Sequence, residues 1–235
     1  MALKKKKTQT NSSRKLITAI APKNAISEQY RTIRTNIQYS SVDGDMSAIM
    51  VTSAGPGEGK STTAANLAVT FSQLGKKVLL VDADLRKPTV HHTFQVNNIY
   101  GFTTILTKQT TLEKAVLKSK EDDLFILTSG PIPPNPAELL SSKSMEQFII
   151  DAKETFDYVI FDTPPLLAVA DPQIIANQCD GSVLVVYSEK TEIDQAKKSK
   201  ELLQNAQSKL LGVVLNHKEI KNNDYYYYYG TYGTK

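Results

Sequence analysis

The sequence has a single cysteine, Cys179, so no disulfide can close within the chain and a reducing cytoplasm is the expected setting. A small buried residue near a strand start is the reading for that cysteine, rather than a nucleophile. No run of about 18 apolar residues occurs, which excludes a membrane-spanning helix. Nor does an apolar signal-peptide core follow the N-terminal lysines. If the protein acts at a membrane, another chain must hold it there. A charge excess is missing from most of the chain as well. The formal net charge is +4, but Lys4, Lys5, Lys6, Lys7, Arg14 and Lys15 stand in residues 1–15 without an acid among them. The remainder carries 22 basic and 24 acidic residues, so no broad nucleic-acid-binding face is indicated. The basic segment is either solvated or drawn to an anionic membrane surface. At 235 residues, 40% hydrophobic and 22% charged, the chain suits one α/β domain with a continuous core.

What is present begins with Ala54-Gly55-Pro56-Gly57-Glu58-Gly59-Lys60-Ser61-Thr62. The apolar run Ala48–Val51 precedes it and the helical-looking Thr63–Phe71 follows. Strand, glycine-rich loop and helix are the setting of a phosphate-cradling loop. Its glycines let backbone N–H groups converge on phosphate oxygens, and the helix N-terminus adds partial positive charge. Lys60 is placed to reach the outer phosphates and the Ser61 hydroxyl to ligate Mg²⁺. Ala54 stands where the pattern usually has its first glycine, a mild change that leaves the Gly-Lys-Ser centre intact. Gly55, Gly57, Glu58, Gly59, Lys60, Ser61 and Thr62 are therefore the expected nucleotide-binding residues, with ATP as the nucleotide.

Further apolar runs end in carboxylates. Lys77–Arg86 reads as a buried parallel strand with Asp82 and Asp84 at its tip, and Asp157-Tyr158-Val159-Ile160-Phe161-Asp162 delivers Asp162 to the same edge. In doubly wound sheets the ligand crevice lies outside the carboxyl ends of the strands. A strand-end aspartate downstream of a phosphate loop is what holds Mg²⁺ directly or through water. Asp82, Asp162 and Ser61 are the expected metal residues, and Lys60, Asp82, Asp84 and Asp162 the catalytic ones. Either Asp82 or Asp84 would accept a proton. Asn216 ends the last strand on the ligand edge, where it either contacts the nucleotide base or is a plain turn residue.

The alternation continues with a helix near Asp171–Asn177, a strand over Ser182–Tyr187, a helix over Glu192–Gln207 and a strand over Leu210–Leu215. The expected fold is a doubly wound, mostly parallel α/β sheet with helices on both faces. Residues 1–25 read as a flexible leader, 26–220 as the nucleotide-binding domain and 221–235 as a mobile tail. Ser27 reads as the N-cap of a helix over about 28–39, in which Glu28, Arg31 and Arg34 share a face. Asn135 and Pro136 read as an N-cap and first helical residue, with a break expected near Ser141–Ser144. The tail holds Tyr225, Tyr226, Tyr227, Tyr228, Tyr229 and Tyr232, six of the chain's eleven tyrosines. Adjacent tyrosines fit neither core periodicity, so the cluster is expected to be exposed.

Together the phosphate loop, the Asp-rich strand end backed by Arg86, and the tyrosine cluster resemble the bacterial tyrosine kinases of capsule and exopolysaccharide synthesis. The similarity is to the separate kinase subunit of Gram-positive systems, over about residues 20–232. In that family Ala54–Thr62 corresponds to Walker A, Val78–Arg86 to Walker A′ and Val159–Asp162 to Walker B. Glu28, Arg31 and Arg34 match its Glu-x-x-Arg-x-x-Arg self-association helix, and Pro134-Asn135-Pro136-Ala137-Glu138-Leu139-Leu140 looks like a further hallmark. The resemblance implies autophosphorylation of the tyrosine tail in a neighbour's site within a homo-oligomeric ring. It also implies exogenous substrates phosphorylated on tyrosine, and a membrane adaptor that recruits and activates the kinase at the inner face of the cell membrane. A MinD/ParA-like positioning ATPase is the rival. Those proteins carry an extra lysine where this chain has Gly55, and they lack a terminal tyrosine cluster.

Overall fold

The computed structural model describes residues 16–40 and 46–219. Its sheet comprises β1 (Ala48–Ser53), β2 (Val78–Asp82), β3 (Leu117–Lys118), β4 (Leu124–Leu127), β5 (Tyr158–Asp162), β6 (Gly181–Tyr187) and β7 (Leu210–Asn216). The order across the sheet is β3-β4-β2-β5-β1-β6-β7. Neighbours are parallel except β3, a two-residue strand antiparallel to β4. This is the doubly wound sheet that the sequence leads one to expect.

β1 and β2 are buried at every residue, because helices cover both faces. Alternate side chains feed two cores. Met50, Leu79, Val81 and Phe161 join one face, under α5 (Phe102–Leu106), α8 (Lys143–Thr155), α9 (Asp171–Gln178) and α10 (Ile193–Asn205). Ile49, Val51, Leu80 and Ile160 join the other, under α2 (Ala25–Tyr39) and α3 (Lys60–Ser72). The register pairs Asp82 with Asp162 on adjoining strands. With four further strand ends aligned by parallel pairing, both acids arrive at one edge of the sheet.

Two details of the N-terminal part differ from expectation. The cap of α2 is Asn24, whose side chain accepts from the Ile26 N–H at 2.9 Å. Ser27 lies inside the helix, and its hydroxyl donates to the carbonyls of Ala21 at 2.8 Å and Ile17 at 3.2 Å. Residues 17–20, expected to belong to a flexible leader, are helical. Helix α1 (Ile17–Ile20) packs on α3, where buried Thr18 donates to Asn66 Oδ1 through its N–H at 3.1 Å and its hydroxyl at 2.9 Å. A four-residue helix offers too little periodicity to be read in advance, and the same holds for α4 (Val90–Phe94) and β3.

Elsewhere the bounds agree closely. α6 (Leu112–Ala115) follows α5, and the expected break separates α7 (Pro136–Leu140) from α8. Asn135 occupies the N-cap position, but its side chain caps nothing and its amide donates to Glu138 Oε2 at 3.0 Å. Among the described residues no helix is long and apolar enough to cross a membrane. The tyrosine cluster at 225–229 and 232 lies outside the described residues.

Candidate functional site

The phosphate loop is shaped by two left-handed glycines. Gly57 has φ +77° and Gly59, the N-cap of α3, has φ +97°, a region that favours residues without a Cβ. Gly59 is constrained by space too: a Cβ there would lie 2.0 Å from Asn216 Nδ2. Beyond it the first N–H groups of α3 point into the loop without intrahelical partners, the ordinary condition of a helix start and the basis of anion binding there. The loop is braced from the far flank of the sheet. Asn216 donates to the Glu58 carbonyl at 2.8 Å and accepts from the His217 N–H at 2.9 Å. Glu58 is 3% exposed, and its Oε1 accepts from the Thr191 hydroxyl at 2.7 Å. Asn216 thus acts as a strut for the loop in this structure.

Opposite the loop, three carboxylates gather around one ammonium. Lys60 Nζ donates to Asp84 Oδ2 at 3.1 Å and stands 3.6 Å from Asp162 Oδ1. Asp84 Oδ1 accepts from the Lys87 N–H at 3.0 Å. Asp82 is fully buried; its Oδ2 accepts from the N–H groups of Thr89 and Val90, both at 2.9 Å, so it caps α4. Its Oδ1 is buried without a hydrogen-bond partner. Burial, reinforced by the charge of Asp162, pushes Asp82 up to about 7 despite the two backbone donors. Burial works against the Lys60 ammonium, but Asp162 and Asp84 outweigh it and hold its pKa above the ordinary value. Behind the cluster, Arg86 grips fully buried Asp171 at the start of α9 with two bonds, of 2.8 and 2.9 Å.

These residues fit a hydrated divalent cation delivered with phosphates. Three carboxylates to one ammonium leave buried negative charge in excess, Asp82 Oδ1 is an oxygen donor without a partner, and Ser61, 5% exposed, stands at the head of α3. Among the described residues no group of three or more His, Cys, Asp or Glu side chains forms a metal cage by itself. Mg²⁺ keeps several waters and takes substrate phosphates as ligands.

The structure therefore brings together Gly55, Gly57, Glu58, Gly59, Lys60, Ser61, Thr62, Asp82, Asp84, Asp162 and Asn216. It separates the helix trio. Glu28 and Arg31 pair with each other on α2, whereas Arg34 turns inward and donates to the Thr70 carbonyl of α3 at 2.7 Å. The braces Thr191–Glu58 and Arg86–Asp171 have no sequence signal, because each joins residues 85 or more positions apart. A third feature is equally silent: Tyr187 and His217 stack at 4.1 Å and 9°, and Lys190 Nζ lies 5.2 Å from the Tyr187 ring and 3.7 Å from where a Gly57 Cβ would stand.

Comparison with known proteins adds to this geometry. A family model described as ParA, NUBPL iron-transfer P-loop NTPase, matches residues 46–234. The chain is 58% identical over 231 residues to tyrosine-protein kinase YwqD of Bacillus subtilis (strain 168), covering 98% of this chain and 97% of the relative. It is 40% identical over 210 residues to a putative tyrosine-protein kinase, CapB, of Staphylococcus aureus, covering 89% and 92%. Among solved structures, the chimerical protein CapA2B2 superposes with a TM-score of 0.84 at 43% identity, covering 87% of this chain and 90% of that one. The septum site-determining protein MinD of Pyrococcus horikoshii, complexed with Mg-ADP, shares the fold at a TM-score of 0.63 and 22% identity, covering 77% and 76%.

Proposed function

The chain belongs to the bacterial tyrosine kinases of capsule and exopolysaccharide synthesis, within the ParA-type P-loop NTPases, and from that premise we propose that it moves the γ-phosphoryl group of Mg-ATP onto its own C-terminal tyrosines. The observation that carries this reading is the cluster of Lys60, Asp82, Asp84 and Asp162 facing the phosphate loop, in a chain that also carries Tyr225–Tyr229 and Tyr232.

Phosphoryl transfer needs positioning and charge neutralisation more than covalent help. The N–H groups of Gly57–Thr62 receive the phosphates, and Lys60 leaves Asp84 to meet them. Ser61, Asp82 and Asp162 would hold Mg²⁺, which when bound would neutralise phosphate charge. The acids lie on β2 and β5, to one side of β1, whereas Tyr187, Lys190, Asn216 and His217 lie at the ends of β6 and β7, to the other. A triphosphate with its reacting end at the acids therefore points its nucleoside toward the aromatic pair.

Asp84 is the better placed proton acceptor. Asp82 is fully buried and spends Oδ2 on capping α4, while Asp84 stands two residues beyond the strand end and its Oδ2 is released when Lys60 moves away. The bond from the tyrosine oxygen to phosphorus forms, the bond from phosphorus to the ADP oxygen breaks, and the phenolic proton passes to Asp84. With tyrosine near its ordinary pKa of about 10, the carboxylate orients the hydroxyl first and receives its proton late.

A membrane adaptor is part of the proposal. It recruits the kinase to the inner face of the cell membrane and activates it, and the chimerical nature of the similar CapA2B2 structure supports a partner of this kind. Self-association of unphosphorylated copies through the face of α2 that carries Glu28 and half-buried Arg31 is proposed with it. ADP and phosphotyrosine measured in one reaction test the function. The kinase reading expects about one phosphotyrosine for each early ADP; ADP and free phosphate with no phosphotyrosine would favour a nucleotide switch of the MinD kind.

A further inference from the structure

Three exposed apolar side chains crowd one rim of the acidic edge. Ile99 is 66% exposed, Tyr100 56% and Ile132 64%. None of them belongs to either core. Ile99 and Tyr100 precede α5, and Ile132 lies in the loop that follows β4. A polar clamp fixes the two loops together. Asn98 accepts from the Gly130 N–H at 2.8 Å and donates to the Gly130 carbonyl at 3.1 Å. The Thr128 hydroxyl donates to the Tyr100 carbonyl at 3.2 Å, and the Phe102 N–H to the Thr128 carbonyl at 2.7 Å. The approach is so close that a Cβ on Gly101 would lie 2.2 Å from that carbonyl oxygen. Ile132 is further stiffened by Pro131 and Pro133, so it loses little conformational entropy on being covered. The loop is anchored in turn by buried Pro136 and Leu140 of the segment Pro134–Leu140. Since Val81 pairs with Leu127, residues 128–130 emerge beside Asp82–Asp84.

We propose that Ile99, Tyr100 and Ile132 form the docking rim for the phosphate acceptor, the Tyr225–Tyr232 segment of a second copy of this chain. The proposal rests on the tyrosine-kinase reading and adds to it the surface that selects the acceptor. Residues 225–232 carry no charge, so the complement to this segment is apolar and aromatic contact rather than ion pairing. In an extended segment, side chains two residues apart face the same way, roughly 7 Å from each other. Wherever one tyrosine of the run 225–229 enters the cleft, another ring of the run falls on the rim beside it. Aromatic faces against isoleucine and tyrosine suit such a contact.

A second copy can offer every tyrosine of the segment, which the chain's own tail cannot. The tail leaves from β7, five strand steps from β4, or roughly 24 Å across the sheet. Glu219 is six residues before Tyr225, a span of at most about 20 Å even when fully extended. The chain's own Tyr225 therefore falls short of the rim, whereas a second copy can present the whole run 225–229 there.

The test mixes two full-length chains with Mg-ATP and the activating adaptor: a donor whose six tail tyrosines are replaced by serine, and an acceptor carrying Lys60→Met. Ile99→Ser with Ile132→Ser in the donor should raise the acceptor concentration for half-maximal transfer roughly tenfold. Transfer at saturating acceptor and binding of Mg-ATP should not change, and the same substitutions in the acceptor should do nothing. Unchanged half-saturation, or an equal loss when the substitutions sit in the acceptor, overturns the rim. So does a defect confined to activation by the adaptor, which would assign the patch to that partner. If the unsubstituted donor makes no phosphotyrosine at any acceptor concentration, the kinase reading fails first and the rim falls with it.

Discussion

Asp82 carries the site's stored electrostatic cost. In the unliganded fold its carboxyl titrates near 7, raised by burial and by Asp162. An unfolded chain gives up that proton near the ordinary carboxylate value of about 4. Between roughly pH 4 and 7 the folded protein therefore binds the extra proton, and its stability falls as pH rises through that window. Asp82→Asn keeps an oxygen for the Thr89 and Val90 N–H groups and removes the titration. Chemical unfolding at pH 5 and pH 8 should show a larger loss of stability across the interval for the natural protein than for Asp82→Asn; equal losses would contradict the account. At this scale the meeting of Lys60 with Asp82, Asp84 and Asp162 was legible in the sequence, because the apolar runs end in the acids at one edge of the sheet and the glycine loop opens α3 beside them. Ser27 was misread for a physical reason. A serine before an amphipathic stripe looks like a cap, but Asn24 three residues earlier makes the bond, and the Ser27 hydroxyl serves α1 instead.

The elements around the phosphate loop are braced by contacts that sequence spacing does not encode. Gly59→Ala forces a Cβ toward Asn216 and places alanine at φ +97°. Strain of this kind costs about 1–3 kcal/mol, so nucleotide affinity should fall by about tenfold or more in a titration, with the loss concentrated on the triphosphate. Unaltered affinity would mean that the Asn216 strut is dispensable. Midway along α3, Thr18→Val removes the hydroxyl that ties α1 to Asn66 and should cost about 1 kcal/mol, seen as a lower denaturation midpoint with an unchanged slope. No change would mean that the Thr18–Asn66 bond adds nothing to stability. Asp171→Ala strips the partner from Arg86, whose side chain is 42% exposed and so remains solvated; a loss of about 1–2 kcal/mol is expected. Long elements with strong periodicity were read to within a few residues. α1, α4 and β3 were not, since two to five residues form no repeat and depend on what they pack against.

For the whole molecule, the parallel order places the acids to one side of β1 and the aromatic pair to the other, giving the nucleotide a direction. That order followed from alternation of strands and helices, and the fold is shared with MinD. The distinction from a nucleotide switch rests on what the sequence carries: Gly55 in place of a second loop lysine, and the six tyrosines at 225–229 and 232. Intact mass after incubation with Mg-ATP and an activating adaptor fragment tests this most directly, with Lys60→Met run in parallel. The account predicts gains of about 80 Da per phosphate in the natural protein, mapping to Tyr225–Tyr232, and none in the variant, since Lys60 positions the phosphates. ATP consumed with the tail unmodified, or equal gains in Lys60→Met, would contradict it.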